Sequence, residues 1–280
     1  MSASLSYTST ELGSERIACL ESKGSGPTLV MCHSNSTSAE LFRPLLEGSL
    51  GAHYQGLALD FPGHGRSAFS PRAAESYSLP GLAQMLVEFV ARRRLRRYVL
   101  VGHSLGGHAI LEALDGLEGA AGVLLIGAPP INLDSLAQVF QPDPTQGLLF
   151  QEKLSATDAE RFALALVRPA LVPAAIEEAL RRSISGCDPA FRSRLGASLA
   201  KGHLRDEALA VTRCRVPLLF LHGSEDPFIR NAAYRAVSAP QPWREGVITL
   251  RGHGHSPQLS APLEVAELIA AFVRDCPETA

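Results

Sequence analysis

A chain of 280 residues with 46% hydrophobic and 19% charged residues is long enough to bury a large core and too apolar to be a disordered one. Its formal charge of −2 gives no electrostatic case for nucleic acid or an anionic membrane as partner. The five cysteines (Cys19, Cys32, Cys187, Cys214, Cys276) lack C-x-x-C spacing, the start MSASLSYTSTELGSER lacks a signal peptide's apolar core, and no run reaches membrane-spanning length, so a cytoplasmic protein with reduced thiols and no zinc site is expected.

Residues Leu5 to Thr10 and Arg16 to Glu21, separated by Gly13-Ser14, have strand-like composition and predict an antiparallel pair. Thr28 to Cys32 is a short apolar strand that runs into His33-Ser34-Asn35-Ser36-Thr37-Ser38. In a strand-first α/β fold that loop lies at the carboxyl edge of the sheet, where ligands bind. Its backbone amides, with Asn35 foremost, are candidate oxyanion donors. The same Ser/Asn-rich run also suits a helix start, and AELFRPLLEGSL after it predicts a helix capped there. Gly56 to Leu59 is the next buried strand and leads into DFPGHGRS, whose Pro and Gly residues force a tight loop.

Leu82, Met85, Leu86, Phe89 and Val90 have helical spacing and predict a helix over Leu79 to Arg94. The basic cluster Arg92-Arg93-Arg94 and Arg96-Arg97 sits at its carboxyl end, which suits the negative end of the helix dipole and reads as a solvated terminus. Tyr98 to Val101 then forms a strand that meets Gly102-His103-Ser104-Leu105-Gly106 and the helix-like HAILEALDGL. In G-x-S-x-G the serine sits on a strained strand-to-helix turn that crowds the positions two before and two after it, and glycine at 102 and 106 relieves that crowding. Ser104 is the candidate nucleophile, and the first helical amide, at Leu105, faces developing negative charge. A glycine-rich turn with an incidental serine is the plainer reading of this motif taken alone.

DFPGHGRS after one strand and GHSLGG after the next resemble the α/β-hydrolase superfamily. The resemblance implies a mostly parallel twisted sheet flanked by helices, with a helical cap inserted after the sixth core strand. It also implies that Asp60 and His64 belong to a structural loop. Ala121 to Ile126 is that sixth strand, and from Leu133 to Arg213 strand alternation stops. LDSLAQVF, SATDAERFALALV, PAAIEEALRRSI and PAFRSRLGASLA read as short helices. This stretch resembles the cap, giving a core over 1–132 and 214–280 and a cap over 133–213. Phe140, Phe150, Phe162 and Phe191 are its candidate pocket aromatics. The cap contains no Tyr or Trp, so a polar hold on substrate from above falls to Ser, Thr, His203 or charged groups.

The strand Pro217 to Leu221 is followed by His222-Gly223-Ser224-Glu225-Asp226. By resemblance to the family's G-x-x-D pattern Asp226 is the triad acid, with Glu225 and Asp134 as rivals. Gly246 to Leu250 leads into Gly254-His255-Ser256-Pro257, which is similar to the family's G-H-x-P and implies His255 as the base, with His253 a loop histidine. The closing SAPLEVAELIAAFV is amphipathic. The resemblance thus implies a Ser104-His255-Asp226 serine hydrolase acting through an acyl-enzyme on a carboxylic ester or lactone, with amides at Asn35 and Leu105 as the oxyanion hole and no metal or organic cofactor. A serine at 104 argues against the dehalogenase and epoxide-hydrolase branches. Carbon-carbon hydrolysis, thioester hydrolysis, perhydrolysis and a non-catalytic binding role stay open on the same residues. HSNSTSAELFRPLLEGSLG with GLALDFPGHGRS resembles the amino-terminal part of α/β-hydrolase-type N-acyl-homoserine lactone lactonases. One departure stands out: the usual His-Gly is here His33-Ser34.

Overall fold

The computed structural model describes residues 3–235 and 237–278. Eight strands form one sheet in the spatial order β1-β2-β4-β3-β5-β6-β7-β8. They are β1 (Leu5–Leu12), β2 (Glu15–Ser22), β3 (Gly26–Cys32), β4 (Tyr54–Leu59), β5 (Tyr98–His103), β6 (Ala120–Ile126), β7 (Leu218–Gly223) and β8 (Pro242–Leu250). β1 and β2 form the expected antiparallel pair, β2 is antiparallel to β4, and every other pairing is parallel. β5 and β6 are buried along their whole length, as strands covered by helices on both faces must be. That explains why they read as unbroken apolar runs.

From β3 the chain goes outward to β4 and returns to add β5 on the other side of β3. The strand order therefore reverses between β3 and β5, and a crevice opens beyond their carboxyl ends, the usual ligand position in open α/β sheets. Both the His33 loop and Ser104 leave the sheet there.

Helix α1 (Leu79–Arg92) buries Leu82, Met85, Leu86 and Phe89, and the Ser78 hydroxyl accepts from Gly81 N at 3.1 Å to cap its start. It stops two residues before the expected Arg94 because Arg94 itself takes φ 54°, and Leu95 N returns to Val90 O at 3.1 Å. Arg93 is no free charge: its guanidinium donates to Glu21 on β2 at 2.7 Å. After β5 comes α2 (Leu105–Ala113). Between β6 and β7 lie α3 (Ala156–Val167), α4 (Ala174–Gly186), α5 (Pro189–Ala200) and α6 (Glu207–Arg213), and α7 (Pro262–Asp275) closes the chain. No helix among the described residues is long and apolar enough to cross a membrane.

The helix expected over AELFRPLLEGSL is instead three short turns, Ala39–Phe42, Arg43–Leu46 and Ser49–His53. Pro44 and Gly48 stand at the breaks, and the Ser38 side chain makes no cap bond. Its hydroxyl lies 2.9 Å from that of Ser183 on α4 instead.

Candidate active site

Ser104 has φ 51° and ψ −116°, a conformation that costs an L-residue on the order of 1–3 kcal/mol and persists only where its surroundings impose it. They do so here by hydrogen bonding and close approach. Ser104 N donates to Ile126 O at 2.8 Å, while Gly107 N and His108 N donate to Ser104 O at 2.8 and 3.1 Å. A Cβ on Gly106 would stand 2.1 Å from Cys32 O, and one on Gly102 2.6 Å from the Gly107 Cα. The two glycines thus let α2 start directly against β3 and β5. As the first residue of α2, Leu105 carries an amide that no intrahelical carbonyl takes.

His255 follows β8 and Asp226 follows β7. His255 Nδ1 is 2.7 Å from Asp226 Oδ2, and both residues are 3% exposed. Asp226 Oδ1 accepts from Phe228 N at 2.8 Å and Ile229 N at 3.1 Å, so both carboxylate oxygens are engaged and the side chain is held still. With Oδ2 accepting, Nδ1 carries the imidazole proton and Nε2 is left as a base. Glu225 is exposed, with its carboxylate 3.3 Å from the Ser224 hydroxyl, and Asp134 is exposed too. His253 pairs through Nδ1 with Ser260 Oγ at 2.8 Å.

Two residues that the sequence reading left without a role hold His255 in place. His103, the variable residue of G-x-S-x-G, is fully buried and donates from Nε2 to His255 O at 2.9 Å. Desolvation lowers its pKa well below the usual range, which keeps it neutral. Gly127, just after β6, has φ +60°, and a Cβ there would come within 3.0 Å of the His255 ring. G-H-S shows a histidine and G-A-P a glycine, but nothing local says that both point across the sheet at residue 255.

The His33 loop is fixed from below. His33 Nε2 accepts from Phe61 N at 3.0 Å and its Nδ1 donates to Ser34 O at 2.7 Å. That pairing defines one neutral tautomer, in agreement with the downward pKa shift that burial imposes. Asp60 accepts from Ala39 N at 2.7 Å and Arg66 N at 2.8 Å, so it ties two loops together. His64 is buried edge-on against Phe191, with ring centroids 4.2 Å apart. Ser34 is absent from the residues with positive φ, which near it fall only at Ser36, so a side chain at 34 meets no backbone penalty. The serine-rich run also clamps the segment between β6 and β7. Asn35 Nδ2 donates to Leu149 O at 2.9 Å, and the buried Arg192 donates to Ser36 Oγ at 3.1 Å.

Two cavities meet at Ser104. The larger, of about 1010 Å³, has Asn35, Ser104, Leu105 and His108 on the sheet side and Leu136, Phe140, Leu149, Phe150 and Leu195 opposite. The smaller, of about 30 Å³, is bounded by Ser34, Asn35, Ser104, Phe162, Phe228 and His255. Three of the four candidate aromatics therefore face the cavities. Phe191 does not: it is fully buried against His64 and Tyr77, because packing there covers the loop after β4. His203 likewise lines a separate groove beside α1.

A parallel sheet that presents a serine on a strained strand–helix turn beside a histidine–aspartate pair defines the class of the α/β hydrolases. Residues 29–268 match the model of the alpha/beta hydrolase family. The chain belongs to that family. It is 30% identical over 261 residues, covering 91% of this chain and 98% of the relative, to the pimeloyl-[acyl-carrier protein] methyl ester esterase of Xanthomonas oryzae pv. oryzae. Among solved structures it is similar to a mutant of the N-acyl homoserine lactonase AidH complexed with N-hexanoyl homoserine, at 28% identity, TM-score 0.92 and 99% coverage of both chains. The esterase RhEst1 from Rhodococcus sp. ECU1013 shares the fold, at 19% identity and TM-score 0.81 over 99% of this chain and 100% of that one.

Proposed function

We propose that this enzyme hydrolyses a carboxylic ester or lactone, with Ser104 as nucleophile, His255 as base and Asp226 as the acid that holds it. The observation that carries the proposal is that His255, paired with Asp226 at 2.7 Å, borders the same cavity as a serine in a strained turn. His255 Nε2 takes the hydroxyl proton as Ser104 attacks the carbonyl carbon, and the resulting imidazolium is stabilised by Asp226. The amides of Leu105 and Asn35 receive the oxyanion. Collapse expels the alkoxide, to which His255 returns the proton, and water activated by the same histidine releases the acid.

The unequal cavities give the substrate a direction. The alcohol leaves on the His255 side, where about 30 Å³ is open, room for a small group only. The acyl part fits the chamber of about 1010 Å³. The helices of 133–213 serve as the cap over that chamber, and the clamps from Asn35 and Ser36 seat it. With its five cysteines all buried and free, the enzyme suits the reducing cytoplasm.

A lactone is the second reading. It is supported by the likeness to AidH at 28% identity and by the His33-Ser34-Asn35 loop. The test is labelling by a fluorophosphonate together with turnover of methyl and p-nitrophenyl esters and of N-acyl homoserine lactones near neutral pH, each against Ser104→Ala. Ester cleavage without ring opening above that control rejects the lactone reading. Absence of labelling and of all turnover rejects the hydrolase reading.

A further inference from the structure

The large chamber has apolar walls except at a few points. Asn35 is bonded to Leu149 O, the Ser193 hydroxyl lies 3.1 Å from the Glu152 carboxylate, and Arg230, which is exposed, and Gln146, which is half-buried, stand on the same lining, Arg230 donating from Nε to Phe140 O. His108 is different. It lies one turn beyond Ser104 on α2, its amide donating to Ser104 O at 3.1 Å, and it is 7% exposed while lining the chamber. Its Nδ1 faces both oxygens of Glu207, at 2.9 and 3.1 Å. Glu207, at the start of α6, is fully buried and also accepts from Ile131 N at 2.9 Å. Nε2 is the polar atom of His108 left to face the chamber.

The protonation of that atom follows from charge balance. A fully buried carboxylate with no compensating charge is costly by several kcal/mol, and Glu207 has one backbone amide to offset that cost where Asp226 has two, so the His108–Glu207 pair, unlike His255–Asp226, is held neutral as a whole. It can be neutral in two ways: imidazolium with carboxylate, or neutral imidazole with carboxylic acid. In the first, both ring nitrogens carry hydrogen. In the second, the acid donates to Nδ1 and the ring hydrogen sits on Nε2. Either way Nε2–H is a donor aimed into an apolar chamber. Burial shifts Glu207 upward, in keeping with a pair that keeps its proton.

We propose that His108 is a specificity-determining residue that recognises a hydrogen-bond acceptor, an oxo or amide carbonyl, within the first few atoms of the substrate's acyl chain. Ser104 and His108 line the same chamber, and the His108 amide bonds Ser104 O at 3.1 Å, which keeps the acceptor close to the attacked carbon. The assignment rests on the reading above that this chamber takes the acyl part. Glu207 is a positioning residue: it fixes the ring and its tautomer without touching substrate.

The test separates recognition from turnover, because a 3-oxo group also activates an ester chemically. Ser104→Ala protein is titrated by calorimetry with methyl 3-oxooctanoate and with methyl octanoate. The oxo ester is expected to bind about tenfold more tightly, the worth of one well-made hydrogen bond in an apolar site. Adding His108→Phe, or His108→Leu should phenylalanine not fit, brings the two dissociation constants together. Adding Glu207→Gln keeps the preference, since the amide still donates to Nδ1 and leaves hydrogen on Nε2, whereas Glu207→Leu weakens it. Circular dichroism checks that each protein is folded. Equal affinities in Ser104→Ala, binding of neither ester, or a preference that survives both His108 replacements overturns the proposal. Wild-type protein that hydrolyses neither ester, alongside a Ser104→Ala protein that keeps the preference, refutes the esterase reading and leaves the recognition site standing.

Discussion

Acidification tests whether the loops of the site are held by neutral, buried histidines. His33, His64, His103 and His222 are all at most 3% exposed, and burial lowers the pKa of each, that of His64 to about 4. Such a histidine is neutral when folded but takes a proton below about 6.5 when unfolded. The unfolded state then binds more protons, and stability falls as pH drops from 6.5 through the folded pKa. For His64 alone the window from 6.5 to about 4 corresponds to about 3 kcal/mol, at 1.36 kcal/mol per pH unit. Asp60, raised by burial to about 6, and Glu207, also raised, act in the opposite sense. Four histidines shifted down against two carboxylates shifted up make unfolding take up protons on balance, so stability falls on acidification. Against a total of about 5–15 kcal/mol for a typical domain, the contribution of His64 alone is a sizeable loss. Urea denaturation at intervals from pH 7 to 4.5 measures it. In His64→Leu, which removes a ring whose Nε2 has no partner, the slope should fall by about one proton. A wild-type slope below half a proton, or no change in His64→Leu, refutes the reasoning.

Ser104→Ala or His255→Ala should lower kcat by several orders of magnitude and His253→Ala only slightly, while Asp226→Asn should cost about 10⁴ and Glu225→Gln little; steady-state kinetics on one ester decides. Gly127→Ala forces an L-residue to φ +60° and puts a methyl within 3.0 Å of the His255 ring, so kcat should drop at least about tenfold with KM less affected. A Gly127→Ala enzyme of full kcat would show that the ring is not held there. Ser34→Gly should keep kcat/KM within a few-fold, because Ser34 is not at positive φ and its hydroxyl lies 3.2 Å from that of Thr37. A loss of about 2.7–4 kcal/mol in transition-state binding, the value of one oxyanion donor, would give the serine side chain a direct part.

Most of the sheet was legible because its signals are local. Buried parallel strands appear as short apolar runs, and β3, β5, β6 and β7 were found within a residue or two. β8 starts at Pro242, four residues ahead of the expected Gly246, because its first half is mostly exposed and carries Arg244 and Glu245 on an edge. The turn at Ser104 was legible in part for the same reason: Gly102 answers to Gly107, five residues on, whereas Gly106 answers to Cys32 and His33 at the end of β3. Asp226 and His255 came from family register, not from physics read off the residues. Nothing in the string SEDP states that Asp226 turns inward to Phe228 N while Glu225 faces water. The helix expected after Ser38 failed because a Ser/Asn run has two uses. It can cap a helix, or it can offer hydroxyls and an amide to another segment, and only the distant partners Leu149, Ser183 and Arg192 distinguish them.

The residues that escaped the sequence reading share one physical property. His103, His108, Arg192 and Glu207 are polar, under 9% exposed, and paired with groups 8 to 156 positions away, with the functional pairs His103–His255 and His108–Glu207 separated by 152 and 99. A buried polar side chain is tolerated only where a partner meets it. Each is therefore tied to a place where two distant segments must be held in exact relation. Here those places are the carboxyl edge of β5 against the His255 loop, and α2 against the start of α6. Periodicity cannot reveal them, since one buried histidine in an apolar run barely alters its pattern. In G-H-S-L-G-G-H the serine is recognisable because its turn is strained locally. The two histidines on either side of it acquire meaning only when the chain from residue 207 onward has returned to meet them.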